Sequence, residues 1–220
     1  LFFVSVAQFF YPFNAVLALT GLLHMFSNSA KLVFFWRTID RKLLLWLGVS
    51  SAVFSVVGAL LLRWVQLDYA RLVLSLFLIG FSVFMLVRST FNIEATLRNS
   101  VVGGALAGFL AGFIGTGGAV RGLVLAAFQL EKNMLIGTSA AIDFTVDLLR
   151  TLIYLDSHFL PKELIPTLPL LFIAAFGGSY LGKIIVNRIS QQRFRTVLLV
   201  LVMALGVLML INEAMSLWVK

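Results

Sequence analysis

The sequence predicts an all-α polytopic membrane protein, and three observations carry that prediction. Long apolar runs follow one another, separated by charge clusters. Hydrophobic residues make up 61% of the 220-residue chain and charged residues 12%, where a soluble domain is about a quarter charged. Trp36, Trp46, Trp64 and Trp218 all fall at ends of the runs, where interfacial aromatics belong. The runs are continuous rather than alternating, which argues against the short strands of an outer-membrane barrel. The chain has no cysteine, which excludes disulfides and thiolate metal sites. Its net charge of +8 is read as loop orientation, so no nucleic-acid partner is expected.

A spanning helix needs roughly 20 apolar residues. The first run, about 14–36, closes at Arg37, Arg41 and Lys42; the second, about 43–64, starts after them. The third, about 69–87, follows a loop holding Arg63 and Arg71. Residues 97–129 are apolar but broken near Gly115. A further span at about 134–155 precedes a loop whose one cation is Lys162. The span at about 164–186 opens among Pro161, Pro166 and Pro169, which early helix positions tolerate because their N–H groups lack partners anyway. The last, about 194–215, follows Lys183, Arg188, Arg193 and Arg195. The positive-inside bias places loops 37–42, 88–98 and 183–195 in the cytoplasm of a multi-pass protein of the inner cell membrane. Residues 97–129 must then leave from and return to the cytoplasmic side, as a broken hairpin does.

An offset of 119 residues exposes a repeat: Phe9 falls on Phe128, Asn14 on Asn133, Thr20 on Ser139 and Gly58 on Gly177. His24, Asn28 and Lys31 fall on Asp143, Asp147 and Arg150. Both triples are spaced i, i+4, i+7, along one helix face. With the loop assignment above, the helix at 14–36 ends in the cytoplasm and the helix at 134–155 ends outside. Two inverted copies place a transport site at their interface near midplane. The expected layout is one transmembrane domain over 1–220, with an N-terminally incomplete repeat at 1–87 and a second at 95–217. Each repeat has a Gly-broken helical hairpin and three spanning helices. Leu1 aligns with Val120, just past Gly-Thr-Gly-Gly, so the first hairpin is expected to lie upstream of this sequence.

The break in 97–129 reads GGALAGFLAGFIGTGGAVRG. Gly104, Gly108 and Gly112 recur every fourth residue, a groove that lets another helix approach. Gly115, Thr116, Gly117 and Gly118 end the helix. A short helix starting near Ala119 would aim its N–H groups and dipole at the break, which suits an anion, and Arg121 in its first turn adds a full charge. The turn lacks the Gly-Lys-Ser/Thr ending of a nucleotide loop.

Ionisable residues inside a span are costly and persist when paired or beside a wet cavity. Asp147 and Arg150 can pair within one helix. Asp143 has no basic residue at i±3 or i±4 and needs a cross-helix partner, a proton or water. His24, its match at the offset, is a candidate, and a protonatable pair at midplane is what proton coupling requires. Snorkelling to the interface is the competing reading of Lys31 and Arg150. His24 and His158 lie in different regions and no His/Glu metal spacing occurs. Ser139 has no nearby base, and no Gly-x-Ser-x-Gly elbow is present, so neither a metal, a cofactor nor an enzymatic activity is expected.

The segments GFLAGFIGTGGAVRGLVL and IGTSAAIDFTVDLLRTLIY, with ALTGLLHMFSNSAKLVFFWRTID in the first half, resemble the TauE/SafE family of sulfite exporter-like membrane proteins. The resemblance implies two similar halves, each opening on a Gly-rich motif, and export of sulfite, sulfonates or related organosulfur anions. Many members continue the turn with another Gly and a Pro, where this chain has Ala119 and Arg121; many carry Thr-Ser in both halves, where this first half has Thr20-Gly21.

The combined expectation is an exporter of a small oxyanion working by alternating access, with proton coupling as one option. Gly115, Thr116, Gly117 and Gly118 would open the backbone, and Arg121, Lys31 and Arg150 would attract the anion. Thr138, Ser139, Thr20 and Asn28 would hydrogen-bond it, with Asp143, His24 and Asp147 setting protonation. The expected partners are the anion and the lipid bilayer; a homodimer is left open. Rivals are an anion channel of the same fold, a non-transporting assembly or receptor protein, and a cation carrier using Asp143 and Asp147.

Overall fold

The computed structural model describes residues 7, 10–61, 67–114, 117–156 and 159–218. Among them the chain forms eight α-helices and no strand: α1 Phe13–Phe35, α2 Arg41–Leu61, α3 Leu67–Val87, α4 Leu97–Ile114, α5 Gly117–Ala127, α6 Lys132–Asp156, α7 Leu168–Arg188 and α8 Gln191–Trp218. Four stretches are long and apolar enough to cross a membrane: Asn14–Thr38, Arg41–Gly58, Lys162–Arg188 and Gln191–Asn212. Large apolar side chains stand exposed along them, Leu170 at 70% and Leu208 at 62%. Such a surface calls for lipid rather than water. The chain is a helical membrane protein.

Local chemistry sets the helix ends. Asp40 caps α2, its carboxylate accepting from the N–H groups of Lys42 and Leu43 at 2.8 and 3.0 Å. Thr96 and Ser190 receive the N–H groups of Asn99 and Arg193 in the same way, both at 3.3 Å. Thr38 returns its hydroxyl to the Phe35 carbonyl at 2.8 Å, closing α1. The span expected from residue 164 begins instead as a 3-10 turn, Lys162–Thr167, holding Pro166; α7 starts at Leu168 with Pro169 in its first turn. Proline lacks the N–H that an earlier start of the α-helix would use.

The helices form two compact units, Leu1–Ile39 with Ile136–Arg188, and Asp40–Leu135 with Ile189–Lys220. In the first, α1 and α7 run parallel: Phe26 meets Phe172 at a ring-centroid distance of 5.3 Å, and Phe34 meets Tyr180 at 5.8 Å. α6 runs antiparallel to α1. Gly137, near its start, sits so close to Phe35 that a Cβ would lie 2.9 Å from the Phe35 carbonyl oxygen. Further along, Asp147 meets Asn28.

In the second unit α2 crosses α4 at backbone contact. A Cβ on Gly104 would lie 2.1 Å from Ser50 Oγ, on Gly108 2.1 Å from the Ser51 carbonyl oxygen, and on Gly58 2.2 Å from the Phe109 carbonyl oxygen. The glycine groove expected on 104, 108 and 112 is thus used at its first two positions, and α2 supplies the third close approach. Ser51 Oγ donates across the seam to the Gly104 carbonyl at 2.9 Å. Intramembrane bonds of this kind average about 0.6 kcal/mol. Ser51→Ala is therefore expected to lower thermal stability in detergent by no more than about 1 kcal/mol, because the glycines carry the seam.

The broken hairpin is present. α4 and α5 pack side by side, and Ile93 N–H donates to the Ala127 carbonyl at 2.9 Å, so both ends return to one side. With 11 residues α5 is too short to span. Side chains stitch the adjoining loops together. Arg195 donates to the Ser89 and Phe91 carbonyls, Gln191 receives the Lys132 N–H at 2.8 Å, and Gln191 Nε2 donates to the Leu130 carbonyl at 2.7 Å. α8 runs antiparallel to α3, with Arg195 at Ser89 and Gly206 at Leu78.

Candidate functional site

The first unit holds a cavity of about 510 Å³ between α1 and α7, within the range that accepts small molecules. From α1 it is lined by His24, Ser27, Asn28 and Lys31, and from α7 by Gly178, Ser179, Gly182 and Lys183. These positions follow helical spacing on each helix, so one polar face of α1 opposes one small, polar face of α7.

Lys31 is half-buried and donates to Asn28 Oδ1 at 3.1 Å. Asn28, buried, turns its amide the other way and donates to Asp147 Oδ2 at 2.8 Å. Asn28 thus bridges an ammonium and a carboxylate, and its two bonds fix which end of the amide faces which. Asp147 is thereby linked to the Lys31 ammonium through Asn28. Ser139 donates to Asp143 Oδ2 at 3.3 Å. On the α7 side Ser179 Oγ lies 3.3 Å from Ser27 Oγ, and the Lys183 ammonium sits 5.1 Å from the centre of the Phe34 ring, a cation–π position.

Of the residues singled out from sequence, Lys31, Asn28 and His24 line this cavity, and Asp147 is tied to it through Asn28. Thr138 is fully buried in α6. Thr20 gives its hydroxyl to the Val16 carbonyl of its own helix at 2.6 Å. Arg121 is buried in α5 of the second unit, 4% exposed. Gly117 opens α5, and Gly118 faces open space, with nothing within 4 Å of where a Cβ would stand. Gly115, Thr116 and the side chain of Arg150 lie outside the described residues.

Sequence reasoning missed Ser27, Ser179 and Lys183. The charge pattern places Lys183 in the basic connection before the last span, but α7 continues to Arg188 and carries it as a helical residue. The available signal was Ser179 and Lys183 at i, i+4 beside Gly178 and Gly182 in an otherwise apolar run.

Two ammonium groups, hydroxyls and an amide line one cavity in the first unit, and each of these groups can donate hydrogen bonds to negative oxygen. A family model described as Sulfite exporter TauE/SafE matches residues 1–209. No curated protein and no solved structure matches the chain. The match covers nearly the whole sequence, including every residue that lines the cavity. The family implies a membrane transporter of sulfite or organosulfur anions rather than an enzyme. The chain belongs to the TauE/SafE sulfite exporter family.

Proposed function

We propose that the protein exports a small oxyanion, sulfite or an organosulfur anion, across the inner membrane through the α1–α7 cavity by alternating access. The observation that carries this reading is the joint lining of one cavity by Lys31 and Lys183, with Ser27, Asn28 and Ser179 beside them. Lys31 supplies the fixed charge, held by Asn28. Lys183 rests on Phe34 and is the more mobile hook, since a cation–π contact at a partly exposed site is worth only about 0.5–1 kcal/mol. Arg121, Arg150 and the Gly115–Gly118 turn are proposed to add attraction at another stage of the path. Asp143, Asp147 and His24 are proposed to exchange protons as the anion binds and leaves.

Inverted repetition is supported by two helix pairs. α1 and α6, matched by the offset of 119, run antiparallel, and so do α3 and α8. The bond from Asn28 to Asp147 joins residues separated by that same 119 positions. A residue near a pseudo-twofold axis is expected to touch its own counterpart, and alternating access by rocking of two such halves follows from that symmetry.

The test is flux of sulfite, sulfate, thiosulfate and sulfoacetate in liposomes, with and without a pH gradient. A saturable flux of one of these, driven uphill by the gradient, is expected. Lys183→Gln is expected to raise KM about tenfold or more with a smaller change in maximal rate, because it removes attraction at binding. Flux that never saturates would mark a channel, and no flux of any of the anions would refute the proposal.

A further inference from the structure

The second unit contains a larger cavity that the transport reading does not use. It measures about 730 Å³ and lies between α3 and the α4–α5 hairpin. Its lining runs along one face of α4 from Asn99 through Val102 and Leu106 to Phe113, opposite Phe77 and Phe81 of α3. That is a slot about 21 Å long at the helical rise of about 1.5 Å per residue. Among the described residues its walls are apolar, and Asn99, at one end, is the single polar residue lining it. Stacked rings form both sides, Phe77 on Phe81 at 5.5 Å and Phe109 on Phe113 at 5.4 Å.

A packed interior leaves few voids larger than a water molecule, and water gains nothing from a slot with one polar group. The slot is also open at its side: Val102 is 51% exposed and Leu106 54%. In a bilayer that opening admits hydrocarbon. The polar end lies at the start of α4, where Arg98 is exposed; Arg88, at the end of α3, is exposed as well. Arg195 holds the connecting loop by the Ser89 and Phe91 carbonyls. A cationic, polar end followed by a long apolar slot has the amphipathic order of a phospholipid. The hydrocarbon core is about 30 Å thick, so one leaflet reaches about 15 Å, and the slot accommodates that depth. Exposed guanidinium groups beside an interfacial cleft suit an anionic headgroup.

We infer that this slot holds one acyl chain of an anionic phospholipid drawn from the surrounding bilayer, its phosphate at Arg88 and Arg98. The inference is independent of the transported substrate.

Native mass spectrometry of the full chain, with phosphatidylglycerol or phosphatidylcholine of equal chain length added, tests it. One phosphatidylglycerol per chain is expected to be retained, at least tenfold in preference to phosphatidylcholine. Val102→Trp, at the rim, is expected to cut retention at least tenfold by filling the mouth. Arg88→Gln with Arg98→Gln, both at exposed positions, is expected to abolish the preference while leaving some binding of either lipid. Equal retention of the two lipids by the native chain would overturn the inference. So would undiminished retention by Val102→Trp, or a lipid-free dimer that Val102→Trp separates into single chains.

Discussion

Lys31→Met is expected to reduce anion flux by at least 30-fold. Losing the charge-assisted bond between this half-buried ammonium and a bound anion is taken to cost about 2 kcal/mol or more, and each 1.4 kcal/mol is about tenfold. Lys31 combines a place in the cavity lining with a fixed position, bonded to Asn28 at 3.1 Å. The substitution also removes the cation that Asn28 links to Asp147, leaving that carboxylate without its bridged ammonium. Stability falls for the same reason, and a drop in flux alone would not separate binding from folding. The double variant Lys31→Met with Asp147→Asn, set against Asp147→Asn alone, makes the separation. It removes one charge of each sign, and Asn28 can still hydrogen-bond the new amide. The double variant is expected to recover most of the lost thermal stability but none of the flux. Recovery of flux along with stability would mean that Lys31 serves only to neutralise Asp147, and the anion site would have to lie elsewhere.

The fold was largely legible because membrane helices announce themselves by apolar length. Runs bounded by charge gave α1, α2, α3, α6 and α8 within a few residues. The break after Ile114 was visible in the glycines, and the use of Gly104 and Gly108 as a groove was visible in their spacing. The span expected from about 164 matches the candidate span Lys162–Arg188, while the change from 3-10 turn to α-helix at Leu168 was hidden because hydropathy alone does not register the prolines.

The cavity lining was half legible. Polar residues inside a span are costly enough to stand out, which brought forward Lys31, Asn28, His24 and Asp147. The serines and glycines of α7 do not stand out, since Ser and Gly are ordinary packing residues in membrane helices. Lys183 was hidden by its neighbours, five residues before Arg188 and within reach of an interface. Which face of α7 meets α1 depends on contacts such as Phe26 with Phe172, and apolar periodicity is weak in a helix that is greasy on all sides. The bond between Asn28 and Asp147 depends on how α1 and α6 pack, although the offset of 119 matches the two positions.

Gly108→Leu is expected to prevent accumulation of folded protein, and Gly108→Ala to lower stability by about 1–3 kcal/mol, the usual cost of overpacking. A Cβ at this position would stand 2.1 Å from the Ser51 carbonyl oxygen and 2.5 Å from its Cα. Ordinary contacts are more than an ångström longer, and the obstacle is backbone, which cannot rotate aside as a side chain does. Relief requires α2 and α4 to move apart. That movement would also open the close approaches at Gly104 and Gly58, where Cβ atoms would meet Leu47 and Phe109 backbone at 2.4 and 2.2 Å. In lipid this loss is serious, because helix association rests on van der Waals packing without a hydrophobic drive. Gly80→Ala is the matching control. Nothing lies within 4 Å of a Cβ there, and alanine is up to about 1 kcal/mol the better helix former, so this variant should melt at or above the native temperature. Thermal denaturation in one detergent compares all three variants. A Gly108→Ala protein as stable as Gly80→Ala would mean that the α2–α4 seam is looser than backbone contact, and the packing of the second unit would need another explanation.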